Sequence, residues 1–111
     1  MDSYSVEIDC SKIKDEDSFH DVFAREFGFF DGYGRNMDAW IDCLGDMYTD
    51  GEYQSLSRFS LNSGDEFNLV LIHSDIFKED CPVMYEKLLS CINFIGATRE
   101  YSNIRLHEKS T

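Results

Sequence analysis

The sequence predicts an α/β fold: a small, mostly parallel β-sheet packed with helices, in one domain over residues 1–111. Three observations carry that expectation. Segments of alternating apolar and polar side chains take turns along the chain with segments of helical periodicity. The run Leu69-Val70-Leu71-Ile72 is continuously apolar, as in a central strand covered on both faces. At 111 residues, 42% hydrophobic and 14% aromatic, the chain suffices for one core, and no repeat, linker or low-complexity stretch divides it.

The elements follow in order. Tyr4-Ser5-Val6-Glu7-Ile8 alternates and reads as a strand. A polar connection, Asp9 to Asp17, ends at Ser18, which with Asp21 has the form of a capping box. Phe19, Val22, Phe23 and Phe27 then mark one face of a helix that Gly28 is suited to stop. An aromatic and glycine-rich loop leads to Asn36, a good N-cap for a second helix. Met37, Trp40, Ile41, Leu44 and Tyr48 fall at helical spacing and are expected to face the core.

Thr49 to Ser57 has turn composition. Arg58-Phe59-Ser60-Leu61 and Phe67 to Ile72 flank a five-residue loop, Asn62 to Glu66, and read as a hairpin. A short helical turn is expected within His73 to Asp80. A long helix starts near Pro82, with Met84, Tyr85, Leu88, Cys91, Ile92 and Ile95 as its apolar stripe and Gly96 as its cap. Ser102 to Leu106 reads as the last strand.

Charge narrows the partners. Ten basic residues stand against 22 acidic ones, a formal net charge of −12. Nucleic acid and anionic membrane surfaces both require clustered Lys and Arg, so neither is an expected partner. The field of this chain attracts basic proteins and also keeps it soluble. The longest apolar stretch is too short to cross a bilayer, and Met1-Asp2-Ser3-Tyr4 does not open like a signal peptide. Cys10, Cys43, Cys81 and Cys91 show neither a C-x-x-C pair nor a histidine at ligand spacing. They are expected to be small packed hydrophobes of a reduced, cytoplasmic protein.

The densest motif is Tyr33-Gly34-Arg35-Asn36-Met37-Asp38-Ala39, followed by Asp42-Cys43-Leu44. Asp38 and Asp42, four residues apart, are neighbours on one helical face and repel by roughly 0.2–0.5 kcal/mol in an isolated helix. The motif resembles the Tyr-Gly-x-Asn-Leu-Asp-Ala and Asp-Cys-Leu segments of the barstar family. Over the rest of the chain the similarity is one of pattern.

The resemblance implies a non-catalytic inhibitor, without cofactor, that occludes the active site of a basic ribonuclease or ribonuclease toxin as its immunity partner. It also implies that Tyr33, Gly34, Asn36, Met37, Asp38, Ile41 and Asp42 form the partner-binding face. Asp42 would enter the cationic cleft in place of an RNA phosphate, with Asp38 supporting it at the rim. The expected state is a monomer, or one-to-one with the partner. The chain departs from the family pattern: Ile41 replaces a tryptophan, Arg35 replaces an acid, Gly32 replaces an aromatic residue, Tyr48 to Glu66 diverge, and the acidic contacts that the family makes from its last helix have no matching position.

Plainer readings stand beside this one. Asp38 and Asp42 could form a solvated helix face, with Asp38 favoured by the helix dipole. Trp40, on the apolar stripe, is expected in the core, and Gly32 and Gly34 supply backbone freedom. His20, His73 and His107 are scattered, so a Cys-His nucleophile has little support. Two alternatives complete the set: an interaction module for a basic partner that is not a nuclease, and a hydrolase whose paired aspartates hold a divalent cation.

Overall fold

Three parallel strands, β1 (Ser3–Asp9), β2 (Glu66–Ile72) and β3 (Ile104–Lys109), form a sheet in the order β1-β2-β3. The computed structural model describes residues 2–111. A 3-10 turn (Cys10–Lys12), α1 (Glu16–Phe27) and α2 (Met37–Gly45) lie between the first two strands. Then α3 (Ser74–Asp80) and α4 (Pro82–Thr98) connect β2 to β3.

Each crossover between parallel strands is expected to be right-handed, and stepping the same way twice puts both helical layers on one face of the sheet. Val6, Ile8, Phe67, Leu69 and Leu71 are buried beneath them. The opposite face carries exposed Ser5, Glu7, Arg105 and His107. There Arg105 pairs with Glu66 at 3.2 Å, and His107 meets Asn68 at 2.7 Å. The apolar run of β2 is therefore not sandwiched between helices as expected. Val70 is buried on the polar face, in register between Glu7 and His107.

The expected hairpin is absent. Both sides of β2 are taken by β1 and β3, leaving no edge for residues 58–61 to join. Leu61 instead forms an isolated parallel bridge with Tyr48, and its amide donates to the Met47 carbonyl at 2.6 Å. The cap of α1 also lies one turn earlier than its sequence signature. Asp15 accepts from the Ser18 amide at 2.8 Å, and Ser18 Oγ accepts from the Asp15 amide at 3.0 Å. This reciprocal box satisfies both groups and places Glu16 and Asp17 in the first turn, where the dipole favours acids.

Gly28 ends α1 as expected, with a left-handed φ of 63°. Gly96 does not end α4. The helix continues through Thr98, whose hydroxyl donates back to the Phe94 carbonyl at 2.7 Å.

The core is aromatic. Phe19, Phe23, Phe27, Trp40, Phe67 and Phe77 are all fully buried. The 3-10 turn joins it through Cys10, with Ile13 following. Tyr48 ties the irregular segment to the sheet: its buried hydroxyl donates to the Asp65 carbonyl and accepts from the Asn103 amide, both at 2.9 Å. Tyr48→Phe leaves both groups without this partner and is expected to lower unfolding free energy by about 1–3 kcal/mol. Urea denaturation checks this; a change within error would show that water replaces the hydroxyl.

Candidate protein-interaction face

The loop from Phe29 to Asn36 is pinned to α1 at Phe29, Tyr33 and Arg35 and to the irregular segment at Phe30. Phe29 and Tyr33 pack with ring centroids 4.6 Å apart and planes tilted by 50°, and the Phe30 amide donates to the Leu56 carbonyl at 2.9 Å. Gly32 lies under Phe30; a Cβ there would come within 2.5 Å of that ring. Tyr33 is half-buried, with its hydroxyl 2.5 Å from Nδ1 of buried His20. Burial pushes the Tyr33 phenol up and keeps it protonated. Arg35, in the left-handed region at φ 54°, reaches back to α1. It pairs with Asp17 at 2.8 Å and with Asp21 at 3.0 Å. The positive charge that departs from the family pattern is thus matched by two acids of the same chain.

Asn36 then starts α2. Its Oδ1 accepts from the Ala39 amide at 2.8 Å, while its Nδ2 donates to the Gly34 carbonyl at 3.3 Å. Trp40, Cys43 and Leu44 point into the core, so Asp38 and Asp42 fall outside. Met37 and Ile41, expected in the core, are half-buried at its margin. The seven predicted site residues therefore lie on one continuous loop–helix segment. Gly34, Asn36, Asp38 and Asp42 are exposed there; Tyr33, Met37 and Ile41 are half-buried.

Asp42 is not bare. Arg99, just past α4, places Nη2 3.6 Å from Asp42 Oδ1. The arginine side chain is only 23% exposed, while that of Asp42 is 67% exposed. Gly45 makes the seat for Arg99, because a Cβ there would lie 2.2 Å from its Nε. Motif reading missed this contact, since residues 42 and 99 are far apart in sequence.

It also missed what α4 adds. An open groove of about 810 Å³ runs between the start of α2 and the first half of α4. On the same helix Val83 and Phe94 are exposed apolar side chains. Both lie outside the inward stripe, which is why periodicity gave no signal for them.

Two of the buried thiols are the opposite of activated. Burial pushes Cys10 up to about 12 and Cys43 up to about 11, the reverse of what a nucleophile needs. Among the described residues, no three His, Cys, Asp or Glu side chains cluster as a metal site. Among the described residues, no helix is long and apolar enough to cross a membrane.

Fold and site together define a class: a small acidic α/β domain that displays carboxylates on a helix braced by an aromatic core. The family described as Barstar (barnase inhibitor) matches residues 4–107. The chain belongs to that family. Among curated proteins, none matches.

His20 links this face to pH. Burial holds its pKa below the ordinary value; Arg35 works in the same direction, and Glu16, Asp17 and Asp21 oppose it. Between the lowered folded value and about 6.5 the unfolded chain binds more protons than the folded one, so stability falls as pH falls. Asp9, Asp15, Asp50, Glu66 and Asp75 are held low by hydrogen bonds and contribute only at more acidic pH. Thermal unfolding is therefore expected to drop between about pH 7.5 and pH 5.5, with a flatter profile for His20→Gln. Equal slopes in the two proteins would contradict the assignment.

Proposed function

We propose that this chain is an intracellular inhibitor that occludes the active site of a basic ribonuclease, serving as the immunity partner of a ribonuclease toxin. The observation that carries the reading is the pair Asp38 and Asp42, exposed on one face of a helix capped by Asn36 and seated in the core by Trp40. A ribonuclease cleft gathers Lys, Arg and His to hold phosphate, and fixed carboxylates can occupy the same cationic positions. Asp42 is the central contact and Asp38 its support. Tyr33, Gly34 and Asn36 shape the approach, and Met37 and Ile41 supply the apolar margin. The charge of −12 steers encounter with such a partner. Four free cysteines, three of them buried, support a reducing compartment. The role requires no cofactor and no catalysis, and one domain binding one partner suffices.

The direct test is RNA cleavage by barnase in the presence of one equivalent of the protein. Loss of cleavage is expected. Asp42→Ala is expected to weaken the complex by about 2–5 kcal/mol, a range that draws in part on barnase and barstar themselves. Intact cleavage by barnase and by other basic microbial ribonucleases, with the complex still formed, would favour an interaction module instead. Turnover by the chain alone on added metal would favour the hydrolase.

A second expectation concerns Arg99. Its guanidinium screens Asp42 in the free protein, so Arg99→Gln should raise the association rate a few-fold at low salt, with the gain fading as salt rises. Stopped-flow fluorescence reads this. A slower association would show that Arg99 orients Asp42 rather than screens it.

A further inference from the structure

The groove between α2 and α4 opens beside the predicted face, and three of its lining residues, Asn36, Met37 and Asp38, belong to the face already assigned. Its volume of about 810 Å³ is ample for a side chain and its neighbours. The apolar part is made by Met37, Val83 and Cys91; the charged part is made by Glu16, Asp38 and Glu86, with Lys87 as the one cation. Among the described residues, none of the three carboxylates is held in an ion pair. Val83 is 65% exposed in the first turn of α4. A large apolar side chain left open beside unpaired acids suits a ligand that is apolar at its centre and cationic at its edges.

We propose that this groove is a specificity pocket for the partner, and that it receives an exposed apolar side chain flanked by Lys or Arg. The proposal rests on the reading of the chain as a binder of a basic ribonuclease, and it adds Glu16 of α1 and the apolar wall that Val83 makes with Met37 to the contact surface. The acids of the rim meet the flanking cations, while Met37 and Val83 lose exposed area to the apolar side chain. Phosphate mimicry by Asp42 supplies the contact any such enzyme would accept. The groove, reading a less uniform part of the partner's surface, selects among them.

The test separates the groove from the inhibitor reading by using two probes. The first is the capped tripeptide Ac-Lys-Leu-Arg-NH2, titrated to millimolar concentration into the labelled protein and followed by amide chemical shifts. Saturable shifts at Met37, Val83 and Cys91 are expected. They should vanish with Ac-Glu-Leu-Glu-NH2, with Ac-Lys-Gly-Arg-NH2, and in the exposed-site variant Val83→Lys, whose unfolding temperature should equal that of the parent. Absence of saturable shifts at the groove overturns the proposal, whatever the cleavage assay shows. So does concentration-dependent broadening at the groove in the protein alone, which would mark a second copy as its occupant.

The second probe is barnase. Val83→Lys is expected to speed dissociation at least tenfold. Peptide binding together with intact RNA cleavage would leave the pocket standing and remove the ribonuclease reading. Inhibition unaffected by Val83→Lys would do the opposite.

Discussion

Burial of Trp40 decides which way α2 faces, and the rest of the site depends on that. Its ring lies 5.5 Å from Phe23, edge to face, and 6.1 Å from Phe19. Removing such a side chain from a core typically costs about 3–5 kcal/mol. The repulsion between Asp38 and Asp42 is roughly tenfold smaller. Burial therefore wins, and helical geometry carries both carboxylates to the surface. The Trp40 indole N–H has no partner inside the core, a penalty of about 1–3 kcal/mol that the aromatic packing still outweighs.

Orientation alone does not make a recognition surface; the helix must also be held. Asn36 closes its first turn, Arg35 fastens the preceding loop to Asp17 and Asp21, and His20 holds Tyr33 from below. Surface ion pairs such as those of Arg35 contribute little to stability, because water screens them. Their value here is geometric, since a loop already fixed in its bound shape loses less entropy on binding. α1 is the scaffold for the last two of these, through Asp17, Asp21 and His20. This also explains how the chain tolerates Arg35 where its family carries an acid: the cation is absorbed by two acids of α1 and does not oppose a basic partner.

Much of the fold was legible because its signals are local. Strand alternation in β1, the spacing of Phe19, Phe23 and Phe27, Asn36 at a helix start and Pro82 in a first turn each work within a few residues. The expectations that failed concern choices made by the whole molecule. Residues 58–61 have strand composition, but no free edge of β2 exists for them to pair with. Ser18 can begin a capping box, but Asp15 does so one turn earlier with Ser18 as its partner. Gly96 resembles a stop, yet Ile95 beside it is buried and the helix runs on. In the site, the motif located α2 and its two aspartates. The Arg99 seat over Gly45 and the groove beside Val83 depend on how α4 lies against α2, which no local pattern encodes.

The central claim is that the outward face of α2, with the loop before it, is the surface that meets the partner. Hydrogen–deuterium exchange of the protein, free and in complex with barnase, tests it directly. The account predicts slowed exchange from Gly32 through Asp42 and in the first turns of α4, with the polar face of the sheet unchanged. Protection confined to β1 and β3, with the amides of α2 exchanging as in the free protein, would contradict it.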